Sequence, residues 1–79
     1  MGVTEDLADA LAKDTIEAAE ATGDERLIDE VAKQLGASSQ TTQEAYMTAV
    51  RVRLADKRAR SFLQDKLKDY LASQKAQKG

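Results

Sequence analysis

The stretch TQEAYMTAVRVRLADKRARSFLQDKLKDYLASQ, Thr42 to Gln74, holds neither glycine nor proline and consists mainly of strong helix formers, so its reading decides the fold. Within it Tyr46, Ala49, Val50 and Leu54 recur at helical spacing. Phe62, Leu63, Leu67, Tyr70 and Leu71 make a second apolar stripe. Between the two, Asp56 to Ser61 holds one small apolar residue, Ala59. The segment is either a single helix of about 50 Å, at about 1.5 Å per residue, or two helices, the second restarted by a capping box of Ser61 and Gln64. The choice bears on function. A single rod carries the second stripe beyond the reach of the rest of the chain, for a partner or a second copy to bury, whereas a broken one folds it back into its own core.

Outward from this stretch, towards the N-terminus, two shorter helices are predicted. Gly23 and Gly36 each sit where a helix would need a left-handed residue just beyond its end. Thr4 is the expected N-cap of the first helix, with Glu5 and Asp6 well placed in its first turn and Leu7, Ala8, Leu11, Ala12, Thr15, Ile16 and Ala19 as its apolar face. Asp24 is the expected N-cap of the second, whose stripe is Leu27, Ile28, Val31, Ala32 and Leu35. No alternating β-branched run and no hairpin dipeptide is present. The expected fold is all-α: one domain over residues 1–79, a small bundle of three or four helices at about 5–22, 24–35, 41–58 and 61–74. The last two are separate or continuous, and residues 75–79 are a frayed tail.

Composition narrows the chemistry. The 79 residues contain no Cys and no His, which removes thiol nucleophiles, disulfides, Cys/His metal sites and the usual general base. Paired acids such as Asp6 with Asp9 and Glu17 with Glu20 lie outside the apolar stripes and read as solvated-face residues. No glycine-rich phosphate loop or calcium-loop spacing occurs. A non-enzymatic protein is expected, with no cofactor, metal or small-molecule substrate. No apolar run approaches the roughly 18 residues of a membrane span, and no basic start followed by a hydrophobic stretch marks a signal peptide. A cytoplasmic location without membrane association is the corresponding expectation.

Charge divides the chain. Met1 to Leu35 carries ten acids and three bases, Gly36 to Gly79 four acids and nine bases. Arg51, Arg53, Lys57, Arg58 and Arg60 fall within ten residues, opposed by Asp56 alone. Two readings compete: the basic stretch pairs with the acidic helices of its own chain, each exposed pair contributing about 0–1 kcal/mol, or it contacts phosphates or an acidic partner through the fixed donor fork of arginine.

One local pattern carries a mechanism. Val31-Ala32-Lys33-Gln34-Leu35-Gly36-Ala37-Ser38-Ser39-Gln40-Thr41 resembles the helix-turn-helix of bacterial repressors, particularly the LacI-type opening. In that resemblance Ala32 lets the second helix approach, Gly36 supplies the turn, and Val31 and Leu35 anchor the first helix. Ser38 would cap the recognition helix, and Ser39, Gln40, Gln43, Glu44 and Met47 would face outward, where glutamine can pair with adenine. The sequence departs from the family at Thr42 and Ala45, where larger apolar residues normally fix the recognition helix, and at Glu44, near the phosphates. Structurally, the same residues also read as a Gly36 C-cap followed by a capping box of Thr41 and Glu44. A looser likeness, from Leu27 to about Lys66, links the chain to the Hha and YmoA nucleoid modulators. It runs through Leu27, Val31, Lys33, Ser39, Glu44, Tyr46, Ala49 and Arg53-Leu54-Ala55-Asp56, and such proteins bind a DNA-binding partner.

Two functional expectations follow. The first is a small regulator that binds DNA, with Ser38, Ser39, Gln40 and Gln43 facing bases and Arg51, Arg53, Lys57, Arg58 and Arg60 engaging the backbone. The second is a module for protein-protein interaction or homo-oligomerisation, whose interface is Phe62, Leu63, Leu67, Tyr70 and Leu71.

Overall fold

The computed structural model describes the backbone of residues 2–78 and the side chains of residues 2–75. Three helices follow in order, α1 (Val3–Thr22), α2 (Arg26–Ser38) and α3 (Gln40–Lys78), and no strand occurs among the described residues. The small all-α bundle expected from the sequence is thus the fold. Helix α3 is continuous over 39 residues, about 58 Å at the standard rise, against about 30 and 20 Å for α1 and α2. It accounts for the 62 Å long axis of the molecule. The separate helix at 61–74 does not form. Ser61 and Gln64 are two exposed positions inside α3, where no glycine or proline interrupts a run of good helix formers. The tail at 75–79 is helical as far as Lys78; Gly79 lies outside the described residues.

Helix ends follow capping chemistry with four corrections. Gly23 ends α1 in the left-handed region, φ 73°, the one positive φ among the described residues. The Asp24 carboxylate accepts from the Arg26 backbone N–H at 3.1 Å, but it does so from one residue ahead of the expected place, because Glu25 is the N-cap of α2. Thr4, however, lies inside the first turn of α1, which starts at Val3 behind Gly2. Gly36 does not end α2 either, because the helix runs on to Ser38 and the chain reverses at Ser39 alone, φ −155° and ψ 108°. Finally, Ser39 rather than Ser38 or Thr41 caps α3. Its Oγ accepts from the Thr42 backbone N–H at 3.1 Å and bonds the Thr42 hydroxyl at 2.9 Å.

The core is small and sits at the proximal half of α3. Ala8 and Ala12 of α1, Ala32 of α2, and Tyr46 and Val50 of α3 are buried together, and Leu11, Ile28, Val31, Leu35, Met47 and Leu54 pack around them. Alanines on the facing sides of α1 and α2 let both helices come close to α3, and Tyr46, the one large side chain fully buried, fills the space between them. Its hydroxyl donates to the Ile28 carbonyl at 3.0 Å, so the polar end of the ring is satisfied. Leu7, expected on the apolar face of α1, is 64% exposed, because the face that docks is the one carrying Ala8, Ala12, Thr15 and Ala19.

Candidate functional site

Two surfaces were marked by the sequence, and the fold treats them differently. The first is the α2–α3 junction. There the Gln43 side chain turns inward and its Nε2 donates to the Ala32 carbonyl at 2.9 Å, so it does not face outward towards bases. This explains Gly36. A Cβ at that position would lie 2.6 Å from Gln43 Nε2, so the glycine leaves room for the Gln43 amide, which any side chain there would displace, rather than making a turn. Ser39 is half-buried and its hydroxyl is committed to the cap, while Ser38 and Gln40 are exposed. Glu44 is also exposed, and Met47 is half-buried against the core. A one-residue reversal also departs from the turn of three or four residues in the helix-turn-helix motif.

The basic stretch is partly consumed by the chain's own acids. Arg53 makes a two-pronged pair with Asp9, Nε to Oδ1 at 2.8 Å and Nη2 to Oδ2 at 2.7 Å. That bond to Arg53 holds the Asp9 carboxyl below the usual carboxylate range, and the same bond pushes the Arg53 guanidinium up. Lys57 pairs with Glu20, and Arg60 with Asp56 one turn earlier on α3 at 2.9 Å. Asp9 and Glu20 are exposed, as read from the sequence, yet each ties α1 to α3. Arg51 and Arg58 are exposed and make no ion pair among the described residues.

The second surface is the distal half of α3. Every residue from Ala55 to Ser73 is exposed, a bare length of about 28 Å. Phe62, Leu63, Leu67, Tyr70 and Leu71 lie along it at 52–66% exposure. Val52, Ala59, Leu63, Leu67, Tyr70 and Gln74 recur at spacings that keep them on one side of the helix, so the face reaches back to Val52, itself 63% exposed, at the edge of the bundle. Lys66 places its ammonium 5.6 Å from the centre of the Phe62 ring, and charged residues such as Asp65, Lys68 and Asp69 occupy the other sides.

Among the described residues no group of three or more Asp, Glu, His or Cys could hold a metal ion, and no helix is long and apolar enough to cross a membrane. Burial raises the Tyr46 phenol above its ordinary value. It faces the core rather than a cleft. No family model, curated protein or solved structure matches this chain.

Proposed function

We propose that the protein is a non-catalytic interaction module in which α1, α2 and the first half of α3 form a base, and the second half of α3 is a projecting arm that docks on a protein partner. One observation carries this reading: five large apolar side chains are exposed on a helix that no other part of the described chain covers, Leu63, Leu67 and Tyr70 along one side with Phe62 and Leu71 flanking them to either side. A helix of about 19 residues without tertiary contacts is marginal in water. The base nucleates this one, so it extends, but only a partner supplies the apolar burial that holds such helices firmly.

The test is amide exchange along α3 in a sample shown by sedimentation to be monomeric. The reading requires the amides of residues 60–73 to exchange far faster than those of Tyr46 to Val50 while the chain is alone. Equal, strong protection in a monomer would place the stripe in an internal core and end the proposal.

Contact with DNA is the lesser reading. It rests on Ser38, Gln40, Arg51 and Arg58, the expected contact residues left exposed and without an ion pair among the described residues. Titration of labelled duplex at rising salt decides it. Binding that weakens with a slope of about −0.9 per phosphate contact supports it, and no binding at low salt rejects it.

A further inference from the structure

The bases of α3 are not scattered around it. At about 100° per residue, Arg53, Lys57, Gln64, Lys68 and Lys75 fall within about 60° of one another, a single line along the helix, with Leu67 and Leu71 beside it. The first two members of the line are already matched. Arg53 pairs with Asp9 and Lys57 with Glu20, so in the base this line is the one along which α1 lies. Helix α1 is acidic, with six Asp or Glu against the single base Lys13. It ends at Thr22, soon after Glu20, while α3 and its line run on bare. Beyond that point Lys68 and Lys75 are exposed and make no ion pair among the described residues. Asp65 and Asp69 sit about 140–180° round from Leu67 and Leu71, so no acid of the distal half stands in the row.

We propose, resting on the docking role of the arm, that the partner presents an acidic amphipathic helix, which lies along the line of α3 that α1 occupies in the base, beyond the end of α1. Its apolar face covers Leu67 and Leu71, with Leu63 and Tyr70 at one edge. Its acids follow the other edge, where they meet Lys68 and Lys75. The contact continues one that the chain already makes: in the base an acidic helix packs small apolar residues on α3 and sends carboxylates to the same row of bases. Large side chains on the arm take the place of Ala8 and Ala12 of α1 as the apolar filling. Exposed ion pairs add little strength each, so apolar burial holds the partner and the row of bases selects which helix is accepted.

Two synthetic helical peptides test this, alike in a leucine face and differing only along the adjoining edge, glutamate in one and lysine in the other. The glutamate peptide should bind several-fold more tightly at about 0.05 M NaCl, slow the amides of residues 60–73, and lose most of its advantage at about 0.5 M. Lys68→Glu combined with Lys75→Glu should reverse the preference, a gain of binding to the lysine peptide that an unfolded arm could not give. Equal binding of both peptides to the wild type, or an unchanged preference in the double variant, would overturn the proposal. Binding of neither, with the amides of residues 60–73 still fast, refutes the acidic helix and leaves the docking role intact. Protection of those amides by duplex DNA but not by the glutamate peptide would assign the row to phosphates, and protection that grows with protein concentration alone would assign the arm to a second copy; either result overturns the proposal. Slow amides there in the lone monomer refute the docking role as well.

Discussion

Replacing Tyr46 with Phe isolates one hydrogen bond at the centre of the bundle. The ring and its packing against Ala8, Ala12, Ala32 and Val50 remain, and only the hydroxyl that donates to the Ile28 carbonyl is lost. The Ile28 carbonyl lies in the interior of α2 and keeps its helical partner, so no acceptor is orphaned and the cost is that of a satisfied bond, about 1 kcal/mol. For a domain of this size that lowers Tm by about 4–8 °C. The pH dependence adds a second, independent signature. Burial raises the Tyr46 phenol in the folded state, while in the unfolded chain it ionises near about pH 10. The folded protein therefore binds the proton more tightly, and this contribution to stability is complete below about pH 10 and is lost as pH rises through the folded-state value. Thermal melts of both proteins by far-UV circular dichroism, from neutral pH to about pH 11, should show a gap that is constant up to about pH 9 and narrows above about pH 10. Equal Tm values at neutral pH, or a gap unchanged at the alkaline end, would refute the burial and bonding assigned to this residue.

Three further outcomes follow from the fold. Gly23→Ala forces a Cβ into the left-handed region at φ 73° and should cost about 1–2 kcal/mol, read as a drop in the urea midpoint, although no atom stands in its way. Gly36→Ala should be nearly neutral alone, because the helix gains about 1 kcal/mol while Gln43 is displaced from the Ala32 carbonyl; in a Gln43→Ala background the same change should stabilise, and equal effects in both backgrounds would contradict the packing. Carboxyl NMR titration should find Asp9 below the ordinary aspartate range. Its pairing therefore stabilises the fold above the ordinary carboxylate value and is lost as pH falls through the lowered one, and Arg53→Gln should return Asp9 to the normal range.

How far the sequence could be read depended on the range of the interaction behind each feature. Gly23 was legible because the left-handed cap is a local requirement. Gly36 looked the same, a glycine directly after Leu35, but its cause is a side chain seven residues on, which no local rule connects to it. Ser38 and Ser39 are equivalent to a capping rule, and the register of α3 on the core chooses between them. The continuity of α3 was half-legible: the absence of breakers favoured one rod, and Ser61 with Gln64 imitated a restart. The charge of the two halves offered the pairing of basic α3 with acidic α1 as one of two readings, and the specific partners of Arg53 and Lys57 lie 44 and 37 residues away and belong to the tertiary fold. The five apolar residues from Phe62 to Leu71 are all exposed, but the helix period puts only Leu63, Leu67 and Tyr70 along one side and sets Phe62 and Leu71 half a turn apart.

The account turns on α3 being a single rod that carries this stripe away from the base. Spin labels at Thr48→Cys and Ser73→Cys, both exposed positions, measured on labelled chains diluted in excess unlabelled protein, test it directly. Twenty-five residues of unbroken helix place them about 38 Å apart in a narrow distribution. A distance of about 20 Å or less, the span expected if the chain doubles back near Asp56 to Ser61, would contradict the account.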